Sequence, residues 1–175
     1  MIRIADSLDF KMFIDAAETE DEIGVVLRMH LAIESLLDRF LGLRITSALA
    51  PYIKLPEYSA QKVALAAAFG MPIPFLAAAK EVNRIRNDIA HGRDALTQKK
   101  LDQLAEKVDS IQSIHPSFAP LSKRYVEIPR VHPGKKFSFG ESNLRIDFLI
   151  ATSALVGELV QWLSFQQHRA VFDRA

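Results

Sequence analysis

Arg86, Asn87, Asp88 and His91 fall within the six residues RNDIAH, with Gly92 directly after them. An imidazole takes up or gives away a proton near neutral pH. A guanidinium offers an anionic oxygen a planar fork of donors. Together, these groups suit acid–base chemistry next to an anion. On a helix, residues five apart sit about 140° apart around the axis. Arg86 and His91 therefore do not share a face, although an arginine is long enough to swing toward the ring. Asn87 and His91, four apart, do share one.

These residues must be positioned by a helix, and the sequence PFLAAAKEVNRIRNDIAHG predicts one beginning near Pro74. Leu76, Ala79, Val82, Ile85 and Ile89 recur every three or four residues and face a core. Pro74 suits a first helical turn, where its missing N–H costs nothing. Gly92 suits the left-handed residue that ends a helix. A plainer reading exists for the same cluster. Arg86, Asn87, Asp88 and His91 at a helix end would also satisfy free carbonyls and brace neighbouring helices, and a cationic histidine gains from the helix dipole.

The order of segments around this motif resembles the HEPN superfamily. Its signature is an arginine, four to six residues, and a histidine at the end of a helix, matched here by RNDIAH. Upstream, ETEDEIGVVLRMHLAIESLLDRFL resembles the long first core helix, and YSAQKVALAAAFGM resembles the following helix that ends in glycine. The arrangement is also similar to the mannitol-repressor-like branch, and the likeness covers about residues 19–113. The resemblance implies an all-α, antiparallel helical bundle forming one domain over residues 1–175.

The resemblance further implies metal-independent RNA cleavage in a toxin, RNA-processing or defence role. His91 would move protons, Arg86 would stabilise phosphorane-like charge, and Asn87 would hold the ring or a phosphate oxygen. Products would carry 2′,3′-cyclic phosphate and 5′-hydroxyl ends. One histidine does not easily serve as acid and base at once; the family's usual answer is a homodimer with two motifs at one cleft, and an antitoxin or regulatory protein is a second expected partner. No cofactor is implied. Many resembling proteins are instead non-catalytic regulators or interaction modules, so that reading stands beside the first. Asp88 departs from the apolar filling seen in some members and would weaken phosphate binding.

A chain of 175 residues, 49% hydrophobic and 25% charged, has the composition of a globular domain with a sizeable core. Its formal net charge of +1 argues against a strongly basic DNA coater. With no cysteine, disulfides, thiolate nucleophiles and cysteine-based zinc sites are excluded. The opening MIRIADSLDF lacks a basic-then-apolar signal pattern, and no unbroken run of eighteen apolar residues occurs, so a cytoplasmic protein without a membrane partner is expected.

Along the chain, Leu8, Met12, Phe13 and Ala16 predict a short amphipathic helix over residues 6–17. Thr19 and Glu22 have capping-box spacing for the next helix, expected to reach about Thr46. Ile23, Val26, Leu27, Ile33, Leu37, Phe40 and Leu41 would be its buried side. His30 and Glu34 interrupt that side at helical spacing. They either bond to one another at the core edge or reach the Arg86/His91 cluster as supporting partners. A third helix, entered at Tyr58 or Ser59 and ended by Gly70, would leave Gln61 and Lys62 facing solvent. Thr97 would cap a helix whose stripe is Leu101, Leu104, Val108 and Ile111, with its charged residues solvated.

Residues 114–140 break the helical pattern with four prolines. Tyr125–Ile128 and Lys136–Phe139 alternate weakly and could pair as a hairpin across Pro133-Gly134. Lys123, Arg124, Arg130, Lys135 and Lys136, interleaved with Tyr125, Phe137 and Phe139, sketch a single-strand nucleic-acid surface. A solvated loop with aromatic anchors explains the same residues. From about Glu141 one long apolar helix is expected, with Ile146, Leu149, Ile150, Leu155, Leu159, Trp162 and Leu163 as its broad stripe. Ala151, Ser153, Ala154 and Gly157 would allow close packing. His115 and His132, beside prolines, are expected to be exposed. No metal-ligand spacing, phosphate loop or nucleophile elbow is present.

Overall fold

In the computed structural model, which describes residues 10–92 and 96–172, the chain is an all-α bundle with one two-stranded hairpin. The helices are α1 (Phe10–Glu18), α2 (Glu22–Arg44), α3 (Ser59–Ala68), α4 (Ile73–Ala90), α5 (Gln98–Asp109) and α6 (Leu144–Phe172). The described part of the expected first helix is α1; its expected start at residue 6, with Leu8, lies outside the described residues.

Asp21, and not Thr19, caps α2. Its carboxylate accepts from the backbone N–H of Ile23 and Gly24 at 3.0 and 2.9 Å. Thr19 Oγ1 instead accepts from the Asp21 N–H, closing the turn ahead of the helix. Glu22, freed from a capping box, reaches Leu96 N at 3.0 Å and ties the start of α2 to the start of the α5 region. The aspartate gives each of the two orphan donors its own carboxylate oxygen, Oδ1 to Ile23 N and Oδ2 to Gly24 N.

Helix α2 is apolar nearly all round, so periodicity alone misplaced its inner face. Val25, Met29, Ala32 and Leu36 are buried along with Val26, Ile33, Leu37, Phe40 and Leu41, whereas Ile23 and Leu27 face outward. Helix α4 runs back along α2: His30 meets Asn83, and Glu22 meets Leu96 beyond the end of α4. Its inner side is Phe75, Ala78, Ala79, Val82 and Ile85.

The longest helix, α6, starts at Leu144, later than the expected Glu141, after Asn143 Oδ1 accepts from Ile146 N. It packs on α2, α4 and α5. Its ring Trp162 lies 5.4 Å from Phe40 of α2 and 5.7 Å from Phe75 of α4, so three helices meet at one aromatic cluster. The stretch Leu144–His168 is long and apolar enough to cross a membrane, and 56% of it is buried inside the bundle. Its apolar surface thus serves the core.

The proline-rich segment forms the expected hairpin. Strands β1 (Tyr125–Glu127) and β2 (Lys136–Ser138) are antiparallel, with Val126 opposite Phe137. Gly134 turns with φ of 72°, a conformation that side chains with a Cβ rarely adopt. Phe118, Leu121 and Ile128 anchor the segment in the core, and Phe137 and Phe139 pack against it partly buried.

Candidate functional site

Helix α4 ends where its sequence predicts. His91 is the C-cap residue, its N–H donating to the carbonyls of Asn87 and Asp88 at 3.1 and 3.2 Å. Gly92 follows with φ of 69°. This ending projects the His91 side chain out of the bundle. The imidazole is exposed, and no side-chain hydrogen bond joins it to another described residue.

The ring borders a groove of about 650 Å³ between α3 and α4. Its apolar floor includes Val63, Ala64 and Ala67 from α3 with Leu76 and Ala77 from α4. Its polar rim holds Lys80, Arg84 and Lys107 beside Glu81 and Asp88, so both signs of charge face the opening. Asn83, Asn87 and His91 all border it, one helical turn after another.

Arg86 does not line this groove. As its helical angle predicts, it lies off the His91 face, half-buried, and it is joined to the site through Asn87. Arg86 Nη1 donates to Asn87 Oδ1 at 3.3 Å, and Asn87 in turn faces the groove with His91. Arg86 is therefore near the histidine's turn without a direct bond to the ring.

His30 and Glu34 do not bond to one another. The His30 ring is 3.2 Å from Asn83 Oδ1, on the helix that carries the motif. Burial holds its pKa below the ordinary 6.5, against the opposing pull of Glu34 and Asn83 and with the help of the Arg86 and Lys62 charges. Glu34 pairs with Lys62 at 3.2 Å, and Asp38 with the same ammonium at 2.8 Å. Lys62, expected in solvent, is only 7% exposed. Two carboxylates on α2 turn it inward, and together they compensate the cost of burying a cation.

Asp88 lies 2.7 Å from Lys100 of α5 and 3.7 Å from Arg84. Its charge is thus matched within the fold, and Lys100 leaves the solvated face expected of α5. The basic residues of the hairpin segment do not border the groove. Arg124 lies 4.4 Å over the Phe118 ring and donates to Ala119 O, while Arg130 pairs with Glu18 at 3.3 Å. Lys135 covers Phe137, and Lys136 covers Tyr125 and reaches Glu127 at 3.6 Å. Lys123 is exposed beside Arg124 and Tyr125 at a separate hollow of about 320 Å³.

His115 is only half-exposed, a correction to its expected position in solvent. Its Nδ1 lies 2.6 Å from Glu158 Oε2, a partner 43 residues away that no local pattern reveals. His132 is likewise engaged, edge-on to Phe137 at 5.3 Å. Among the described residues no group of three His, Asp or Glu side chains converges as a metal site. Asn83 was overlooked by the sequence reading, although its spacing to Asn87 and His91 was the available signal.

No family model, curated protein or solved structure matches this chain.

Proposed function

We propose that the chain is a metal-independent endoribonuclease of the HEPN type, with His91 as proton-transfer group and Arg86 as phosphate-stabilising group. The observation that carries this reading is the exposed His91 imidazole, without a side-chain partner among the described residues, one helical turn from an asparagine that holds Arg86. RNA brings its own nucleophile. His91 takes the proton of a ribose 2′-OH, the oxygen attacks the adjacent phosphorus, and the 5′-oxygen departs with a proton from a second acid. The guanidinium of Arg86 stabilises the charge that builds on the phosphoryl oxygens. Asn87 orients one or both groups.

The second acid is His91 of another copy. Ile23, Leu27 and Leu31 expose 47, 38 and 52% of their surface on one side of α2, and Leu31 adjoins His30, which bonds to the motif helix. A two-fold contact on this apolar stripe covers it and sets two motif helices side by side. The pairing of Asp88 with Lys100 and Arg84 lessens its repulsion of phosphate.

A labelled RNA pool incubated in EDTA tests the proposal. Wild type is expected to leave cyclic-phosphate ends, and His91→Ala to leave the pool intact. Intact RNA with well-folded wild type overturns it. One observation favours a second reading, a non-catalytic regulatory module with a protein partner: the floor of the groove is apolar and its rim carries both charges. That reading predicts intact RNA with both proteins.

A further inference from the structure

Away from the groove, three side chains form a hydrogen-bonded line. Ser117 Oγ lies 2.8 Å from His115 Nε2, and His115 Nδ1 lies 2.6 Å from Glu158 Oε2. We propose that Ser117 is a nucleophile activated by His115 and oriented by Glu158, and that it accepts acyl groups from small activated esters.

The line has a direction. A carboxylate only accepts, so Nδ1 carries the proton toward Glu158. In the neutral ring this leaves the Nε2 lone pair for the Ser117 hydroxyl. Nucleophile, base and orienting acid are thus in contact in the required order, which identifies such a site by geometry, whatever the chain order.

The line is also held. Pro116 fixes the backbone between His115 and Ser117, and Phe118 N donates to His115 O at 2.9 Å, closing the turn that presents both side chains. His115 N donates to Ile111 O at 2.9 Å, and the Phe118 side chain is buried below. On the far side, Glu158 projects from α6 with its side chain 14% exposed, and Arg124 Nη2 stands 3.8 Å from its other oxygen. Arg124 is itself fixed over the Phe118 ring. Ser117, at the open end, is exposed to an incoming ester.

The chemistry balances with an ester and water alone. Ser117 Oγ bonds to the acyl carbon while its proton passes to His115 Nε2. The tetrahedral carbon then expels the alkoxide or aryloxide, which takes that proton. In the second half water adds to the acyl carbon and gives a proton to Nε2. Ser117 Oγ leaves with the proton, and a carboxylic acid is released. Because the serine faces solvent, the oxyanion is stabilised by water, which restricts the acyl donors to esters with good leaving groups.

The test uses the full chain with a fluorophosphonate probe and with 4-nitrophenyl acetate. Peptide mass spectrometry is expected to find the phosphonate on Ser117, and nitrophenolate is expected to appear in a burst of about one per chain. His115→Gln is expected to slow labelling on the order of 10²-fold, the loss of one general base. It is also expected to flatten the dependence of the labelling rate on pH. Ser117→Ala, at an exposed turn position, is expected to fold and to show neither label nor burst. Absence of label from Ser117, or equal labelling of wild type and His115→Gln, overturns the proposal.

Discussion

Lys100 Nζ lies 2.7 Å from Asp88 Oδ2, and this contact braces α5 against the last turn of the helix that ends in His91. Both side chains are 14% exposed, so the pair is well shielded from water. Lys100→Ala is expected to cost about 1–2 kcal/mol, above the range of exposed pairs and below that of fully buried ones. Urea unfolding measures this directly. A double-mutant cycle with Asp88→Asn should return a coupling of similar size, since the two substitutions remove the same contact. A coupling near zero would mean that Lys100 is not what balances Asp88.

Lys62 has greater leverage, because one ammonium serves Glu34 and Asp38. Lys62→Ala removes the shared cation from Glu34 and Asp38, whose side chains are 18 and 34% exposed, and is expected to destabilise the fold by about 1–3 kcal/mol, between the ranges for exposed and fully buried pairs. Burial by itself would lower the Lys62 pKa, but its bonds to Asp38 and Glu34 outweigh burial and raise it above 10.5. A raised cation pKa contributes stability fully below the unfolded value of 10.5 and loses it as pH rises through the higher folded value. Wild type should therefore lose stability in that alkaline window more steeply than Lys62→Met does.

His30 gives the opposite pH signature. Its folded pKa lies below 6.5, so between the folded and unfolded values the unfolded chain binds more protons. This contribution to stability is complete above about 6.5 and falls as pH drops toward the folded value. His30→Gln should flatten that part of a plot of Tm against pH. A slope that survives the substitution would place the acid sensitivity elsewhere.

If two copies meet on the outer stripe of α2, charges placed there should separate them. Leu27→Glu with Leu31→Glu is expected to give a monomer by light scattering while the far-ultraviolet spectrum keeps its helical form. Both side chains lie outside the core, so the fold should tolerate the change to within about 0.5 kcal/mol each. RNA cleavage should fall together with dimerisation.

Arg86→Lys separates charge from geometry in the proposed cleavage. A lysine keeps the charge but loses the planar fork, so cleavage should drop about 10²-fold if that fork stabilises the transition state. Activity equal to wild type would reduce Arg86 to a source of positive potential.

The helices that place His91 were legible because their signals are local. The apolar stripe of α4, its proline at the start and Gly92 after its end all lie within one segment, and the hairpin turn is marked by Pro133-Gly134. Helix α2 was harder to orient, since apolar residues occur around most of its circumference and either side would satisfy the pattern. The polar contacts were largely invisible. Lys62 reads as a surface residue until Glu34 and Asp38 are brought over it, and His115 reads as a loop residue until Glu158 approaches from α6. Each of these pairings is decided by helix packing, which no spacing within one segment encodes. The Arg86–His91 angle, by contrast, followed from helical geometry alone, and the two side chains diverge as that angle requires.

The position of α6 in the chain shapes how the protein can be made. It packs on α2, α4 and α5, yet it follows all three in the chain and is synthesised after them. Until it arrives, Phe40 and Phe75 lack the indole that later joins them, and the earlier helices have a half-finished core. The nascent chain must therefore carry exposed apolar surface through the synthesis of the hairpin segment, a period in which chaperone binding or aggregation competes with folding. The core therefore cannot close before α6 has been made, and a chain interrupted before Leu144 lacks Trp162 and the other apolar residues that complete it.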